Sequence, residues 1–202
     1  MEALKLFSVY GFEGVSIKKI ADAVGIKDSS LYKHFARKQE IFDTLLTVMN
    51  QRFEAQVTYA RLPQGEIKDM AVLYGENDLS WLRKACESIF LFFLKDPYAS
   101  RFRRMLMIEQ YKNSEAAKIL DSWLMGDALD FQAALFTEMM ELGYFKKVSP
   151  QMAAIHFYSP IYFLLCRYDN KPDKEAEALA ILSEHVDQFA ENYQLHPKEA
   201  GL

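Results

Sequence analysis

Residues 27–34 place basic, hydroxyl and aromatic side chains next to one another on a predicted short helix. Its outward face carries Lys27, Asp28, Ser29, Ser30, Tyr32, Lys33 and His34. Small hydroxyl groups let the backbone come close to base edges, and lysine and tyrosine side chains reach phosphates or bases. This combination is typical of a surface that binds nucleic acid.

The sequence contains none of the patterns that support catalysis or metal binding. It has no glycine-rich phosphate loop and no nucleophile in a recognisable elbow. The four histidines, His34, His156, His185 and His196, are too far apart in sequence for metal-ligand spacing. We therefore expect no enzyme activity, no cofactor and no metal.

Two short helices are predicted to position the polar surface. Ser16 is expected to cap the first helix, which stops at Gly25. The second covers about residues 27–35, with Leu31 and Phe35 facing inward. Two short helices joined by a tight turn with a glycine match the helix-turn-helix motif, whose second helix enters the DNA major groove.

The segments GFEGVSIKKIADAVGI, SSLYKHF and KQEIF resemble the TetR family of bacterial transcription regulators. The resemblance covers about the first 46 residues and implies a DNA-binding domain over residues 1–46, with a double-stranded DNA operator as partner. It assigns phosphate contacts to Ser16, Tyr32 and Lys38. It assigns the base-reading face to Lys27, Ser29, Ser30 and Lys33, and His34 lies on the same outward face.

Two positions depart from the family pattern. Lys27 stands where many relatives have Ser or Thr as an N-cap, and Arg37 stands where many have Ser before the lysine of the long helix. Arg37 and Lys38 thus put two positive charges at a helix start, where the helix dipole disfavours them. Both side chains could simply be solvated. The interpretation that the resemblance favours is that Lys38 and the free backbone N–H groups bind one DNA phosphate together.

The remainder, residues 47–202, is predicted to be a helical domain for ligand binding and dimerisation, which makes the whole chain all-α. No run of residues alternates like a half-buried strand. Residues 62–78 contain Pro63, Gly65, Gly75 and the polar run Glu76-Asn77-Asp78, which predict an irregular connection. Further helix starts are predicted at Asp96-Pro97, Ser114, Ser149-Pro150 and Pro172.

The aromatic residues of this second domain could line a pocket between helices for an unknown small-molecule effector. The candidates are Trp81, Phe102, Trp123, Phe131, Tyr158, Tyr162 and Arg167. Taken singly, each aromatic residue is better explained as part of the core.

The last two long helices have more apolar positions than the edge of a bundle needs. The resemblance implies that they pair with their copies in a homodimer. The candidate contacts are Met152, Ile155, Ser159, Phe163, Leu179, Leu182, Val186 and Phe189. The alternative is that both helices pack wholly within their own chain.

The composition sets the limits of these predictions. The 202 residues are 50% hydrophobic and carry a net charge of −4, which argues against a general polyanion binder but leaves room for a local basic face. No signal peptide and no apolar run long enough for a membrane span is present, so we expect a cytoplasmic protein. The helical pattern begins at the first turn, which favours a native start upstream of Met1.

Together these observations predict a homodimeric regulator, a repressor that a small-molecule inducer releases from a pseudo-palindromic operator. One alternative is a DNA-binding protein whose second domain binds a protein partner instead of an inducer. Another is a ligand-binding module whose helix-turn-helix no longer binds DNA.

Overall fold

A computed structural model describes residues 1–194, and His196 lies outside the described residues. The all-α prediction is confirmed for the described part, where the helices are accompanied by one isolated bridge between Phe145 and Gln194. The helices are α1 (Glu2–Tyr10), α2 (Ile17–Val24), α3 (Asp28–Tyr32), α4 (Lys38–Tyr59), α5 (Ile67–Glu76), α6 (Leu79–Lys95), α7 (Ala99–Glu109), α8 (Ser114–Leu124), α9 (Gly126–Glu141), α10 (Pro150–Tyr168) and α11 (Glu175–Tyr193).

The predicted helix starts lie close to the observed ones. The Ser149 hydroxyl accepts a hydrogen bond from the Met152 N–H at 3.4 Å, so the cap-then-proline signal marks the first residue of α10. The Asp96 carboxylate accepts from the N–H groups of Tyr98 and Ala99, both at 2.9 Å, although α7 begins only at Ala99. Pro172 opens a short 3₁₀ turn, after which α11 follows.

The prediction of an irregular connection over residues 62–78 is wrong, because α5 occupies most of it. Met70 and Ala71 on one face of α5 are buried in the core that also contains residues of α9 and α10. Gly75 lies inside the helix, and a Cβ there would be 2.4 Å from the Tyr144 ring. The glycine therefore admits an aromatic ring against the helix instead of ending it.

The contacts divide the chain into two compact units. The N-terminal unit comprises Met1–Gln56 and Lys95–Asp121, so it holds α1 to α3, most of α4, α7 and most of α8. Inside this unit the Tyr98 hydroxyl donates a buried hydrogen bond of 2.9 Å to the Leu45 carbonyl, which fixes the start of α7 against α4. The predicted domain boundary after residue 46 stays a prediction.

The C-terminal unit comprises Val57–Leu94 and the residues from Ser122 onward. Its core is aromatic: the rings of Phe136, Phe157 and Phe189 lie with centroids 4.9–5.7 Å apart. Among residues 1–194 no helix is long and apolar enough to cross a membrane.

Candidate nucleic-acid interface

The turn between α2 and α3 has the geometry that the sequence predicts. The Ser16 hydroxyl accepts a hydrogen bond of 3.1 Å from the Lys19 N–H and caps α2. At the other end Gly25 adopts a left-handed conformation with φ 78° and ψ 28°, which glycine reaches without steric cost. The Ile26 N–H then donates to the Ala21 carbonyl at 3.0 Å, closing the helix end as in a Schellman motif.

The second short helix is shorter than predicted but continues as a turn. α3 covers Asp28–Tyr32, and the N–H groups of His34 and Phe35 both donate to the Leu31 carbonyl at 3.0 Å. Lys27 is its N-cap and provides no side-chain hydrogen bond, as the departure from the family pattern indicates. Asp28 places a carboxylate in the first turn instead, where the helix dipole favours it.

The predicted DNA-binding residues of this motif face outward. Leu31 is the one buried residue of α3, and its burial turns the rest of the helix to solvent. Tyr32 is 53% exposed and Ser30 is half-buried. The remaining exposed candidates are Ser16, Lys27, Ser29, Lys33 and His34.

Lys38 is placed differently from the expectation. Its ammonium donates a hydrogen bond of 2.6 Å to the Phe12 carbonyl and lies 4.2 Å from the centroid of the Phe12 ring. The Glu13 carboxylate is 3.9 Å away, and the lysine side chain is only 21% exposed. The conformation thus uses this cation within the chain, and a phosphate contact by Lys38 remains a prediction.

The first turn of α4 also contains an acidic residue, Glu40, which offsets the positive charge of Arg37 and Lys38 at the helix start. The Glu40 carboxylate accepts the Ala36 N–H at 2.8 Å and lies 3.8 Å from the Arg37 guanidinium. An acidic group reaching back to a free N–H is the usual way to stabilise a helix start. Arg37 is 80% exposed and is the cation that this helix start leaves open to solvent.

Sequence reasoning missed one contact of the N-terminal unit. The Phe12 N–H donates a buried hydrogen bond of 2.7 Å to the Glu109 carboxylate, 97 positions later in the chain. In the sequence, Glu109 is a polar residue within an otherwise apolar helix, and nothing near it in the chain points to Phe12. The one sequence feature that accompanies this contact is Gly11, next to Phe12. Gly11 has φ 74° and ψ 167°, and because it lacks a side chain the Glu109 carboxylate can approach the backbone.

The pocket candidates are distributed over both units. Phe102 is buried in the N-terminal unit, whereas the other six belong to the C-terminal unit. There the Tyr158 and Tyr162 rings are stacked with centroids 6.5 Å apart. The Tyr158 hydroxyl donates to the Leu124 carbonyl at 3.0 Å, and burial raises the pKa of this phenol.

The remaining pocket candidates have varied surroundings. The Trp81 ring meets the Tyr74 ring edge-on at 5.3 Å. Trp123 is half-buried, while Phe131 and Arg167 are exposed. The pair Tyr158 and Tyr162 is therefore the part of the predicted pocket that the contacts bring together, and a common pocket remains a prediction.

The interface candidates on α10 and α11 behave differently. On α10, Met152, Ile155 and Phe163 are 46%, 40% and 59% exposed, and Ser159 between them is also exposed. On α11, Leu179 is half-buried, but the side chains of three candidates are buried within their own chain: Leu182, Val186 and Phe189. The apolar stripe of these three side chains faces the core of the C-terminal unit, and a place for them in a dimer interface stays a prediction.

Over residues 1–194, no group of three or more histidine, cysteine, aspartate or glutamate side chains could hold a metal ion.

Known proteins resemble the chain at two levels. The family model "Bacterial regulatory proteins, tetR family" matches residues 2–45, which cover α1 to α3 and the start of α4. The transcriptional regulator TcmR of Streptomyces glaucescens is 34% identical over 65 residues, which are 32% of this chain and 28% of TcmR. The match thus spans less than a third of that curated relative.

Solved structures extend the similarity of fold over nearly the whole chain. The TetR-family regulator PfmR of Thermus thermophilus is 21% identical with a TM-score of 0.62, over 95% of this chain and 96% of that chain. AibR, solved with isovaleryl coenzyme A and operator DNA, is 18% identical with a TM-score of 0.61, over 90% of this chain and 92% of that chain. Identities this low indicate a shared fold only. Residues 2–45 thus match the tetR family model, and the chain shares its fold with solved TetR-family regulators.

Proposed function

We propose that this protein is a transcriptional regulator that binds a pseudo-palindromic DNA operator as a homodimer and is released by a small-molecule inducer, acting as a repressor. Residues 1–46 form the DNA-binding domain and residues 47–202 the ligand-binding and dimerisation domain in this proposal. The observation that carries it is the outward face of α3, held by the Gly25 turn and by the buried Leu31.

The roles on that face follow from the chemistry of its side chains. Ser29 and Ser30 are short enough to let the backbone approach base edges, while Lys27 and Lys33 add positive charge beside them. Ser16 at the α2 start and Tyr32 at the end of α3 are both exposed, and the proposal assigns phosphate contacts to them. Residues 1–46 hold seven basic and six acidic side chains, so their total charge is close to zero. The positive electrostatic potential that attracts DNA must therefore come from where the basic side chains lie.

Dimerisation is supported by the exposed apolar side chains of α10. Met152, Ile155 and Phe163 follow helical spacing on one face, and Ile181 on α11 is 41% exposed. Apolar residues on one face of a helix gain by packing against a second copy. A twofold pair would present two α3 helices to half-sites about 34–36 Å apart.

The inducer part of the proposal rests on two-state binding. AibR was solved with an acyl coenzyme A and operator DNA, so one protein of this fold is compatible with both kinds of partner. A ligand that prefers the state with the wrong spacing of the two α3 helices shifts the population away from DNA. The operator must then weaken ligand binding by the same factor, which is typically about 5–150-fold.

The decisive experiment selects bound fragments from a library of genomic DNA of the source bacterium and measures their affinity by fluorescence anisotropy at several salt concentrations. We expect a specific fragment whose affinity falls steeply with salt, with a slope near −0.9 for each phosphate contacted. Lys33→Ala should lower both affinity and slope. Lys146→Ala, which removes an exposed lysine of the C-terminal unit, is the matched control and should change neither. No selected fragment, or equal effects of both variants, would contradict DNA binding by α3.

A further inference from the structure

The peptide groups on both sides of Phe12 are held by opposite charges from two distant parts of the sequence. The Phe12 N–H donates to the Glu109 carboxylate of α7 at 2.7 Å, and the Phe12 carbonyl accepts from the Lys38 ammonium of α4 at 2.6 Å. All three residues belong to the N-terminal unit. The turn between α1 and α2 is thus fixed from two sides.

Glu109 is an unusual residue to find in this position. It is 1% exposed, and its second carboxylate oxygen is buried without a hydrogen-bond partner. Burying a carboxylate with unsatisfied hydrogen-bonding capacity is unfavourable, and apolar residues of similar size would cost less. The hydrogen bond that the Glu109 carboxylate accepts from the Phe12 N–H is therefore the feature that explains why a glutamate stands here.

The backbone beside Phe12 is shaped to admit the carboxylate. A Cβ at Gly11 would lie 2.3 Å from the nearer Glu109 oxygen, which is closer than any side chain can approach. The Phe12 ring is itself packed, with centroids 5.3 Å from Phe7 and 5.6 Å from Phe42. Backbone and ring of the same residue are thus both fixed, four positions before the Ser16 cap of α2.

We infer that Glu109 is a positioning residue for DNA binding, which acts through the Phe12 N–H on the orientation of α2 and α3. This inference rests on the proposed function. Base-edge and phosphate contacts tolerate only small displacements, so a turn that shifts at Phe12 misplaces the α3 face even when every DNA-contacting side chain is present. α7 thereby contributes to DNA binding without offering a side chain to the DNA.

Two substitutions at Glu109 separate reach from charge. Glu109→Gln keeps the length and an oxygen acceptor but removes the charge, whereas Glu109→Asp keeps the charge but is one methylene too short to reach the Phe12 N–H. The affinity for the selected operator is expected to stay within about threefold of wild type for Gln and to fall about tenfold or more for Asp, as for a buried N–H left unpaired.

Tyr98→Phe is the matched control for lost stability. It removes another buried hydrogen bond of the same unit, from α7 to the Leu45 carbonyl, without touching the turn at Phe12. The thermal midpoints of Tyr98→Phe and Glu109→Asp should fall comparably, but only Glu109→Asp should lose operator affinity. Equal losses of affinity in both variants would reduce Glu109 to a stabilising residue and overturn the inference.

Amide hydrogen exchange of Phe12, measured by NMR without DNA, tests the contact at the turn separately from operator binding. Protection of the Phe12 amide is expected in wild type and Glu109→Gln and its loss in Glu109→Asp. Unchanged protection in Glu109→Asp, or lost protection with unchanged operator affinity, overturns the positioning role. If wild type bound no DNA at all, the proposed function would fail and the positioning role with it. The exchange data would then still show whether Glu109 holds the turn.

Discussion

The Lys38 ammonium donates to the carbonyl of Phe12, 26 positions earlier, and lies over the ring of the same residue. Two attractive interactions with one residue explain why a lysine is stable at the start of α4 without a bound anion. The carbonyl oxygen and the aromatic face both favour a cation, and the burial of the side chain strengthens both effects. The anomalous positive charge at this helix start therefore has a structural partner.

This contact predicts how replacing Lys38 affects DNA binding. Lys38→Met should weaken operator binding about fivefold to tenfold, because a buried carbonyl loses a charged donor worth about 1.5–3 kcal/mol and the turn at Phe12 loosens. The slope of log affinity against log salt should stay at the wild-type value. A slope reduced by about 0.9 would instead support the phosphate contact that the family resemblance implies. Salt titrations by anisotropy, with Lys33→Ala alongside, measure the difference.

Two glycines with positive φ provide a matched pair for a test of stability. Gly25 has φ 78° and ψ 28° with open space around it, so Gly25→Ala should cost only about 1–2 kcal/mol for the left-handed conformation. Gly11 combines φ 74° with ψ 167°, a region that is almost exclusive to glycine and costs about 1–3 kcal/mol on its own.

Gly11→Ala must in addition displace the Glu109 carboxylate, which cannot move without giving up the Phe12 N–H. Its free energy of unfolding, from urea denaturation, should therefore fall more than that of Gly25→Ala. Equal losses would mean that the carboxylate moves aside freely.

Local signals in the sequence were sufficient for the helix-turn-helix. Ser16 and Gly25 act through hydrogen bonds to residues within five positions along the chain, and the apolar spacing around Leu31 decides which face is buried. Such effects depend on neighbouring residues, so a single sequence contains them.

The parts that sequence could not predict depend on distant residues. Gly75 looked like a breaker because its role is set by Tyr144, far along the chain. The role of Glu109 is not evident from the sequence, because its partner Phe12 is 97 positions away. Phe189 and Phe163 both follow helical spacing, and only the packing of the aromatic core shows that Phe189 is buried while Phe163 is exposed.

The Asp78 carboxylate, which caps the N-terminus of α6, should stabilise the fold to a degree that depends on pH. The Asp78 carboxylate accepts the Trp81 N–H at 2.8 Å, and hydrogen bonds from Trp81 and Ser80 lower its pKa below the ordinary 3.8. Because the pKa is lower in the folded state, this stabilisation is complete above the unfolded pKa and disappears as pH falls through the folded one.

Asp78→Asn keeps a capping oxygen but cannot titrate. Urea midpoints measured from pH 6 down to about pH 3 should therefore converge for the variant and wild type as Asp78 becomes protonated. A difference that stays constant over this range would contradict the role of the Asp78 carboxylate.

The two phenylalanines of α10 and α11 distinguish the proposed dimer face from the core. Phe163 is 59% exposed, so Phe163→Glu should leave the fold and its thermal midpoint nearly unchanged. In a dimer, however, the two introduced carboxylates would be buried facing each other across the twofold axis. We therefore expect Phe163→Glu to sediment as a monomer in sedimentation velocity. Phe189 is 4% exposed beside Phe136 and Phe157, so Phe189→Ala should cost about 3–5 kcal/mol of unfolding free energy instead. A Phe163→Glu protein that sediments as a dimer would place the interface away from the exposed stripe of α10. Ile181→Glu would then show whether α11 alone supplies the contact.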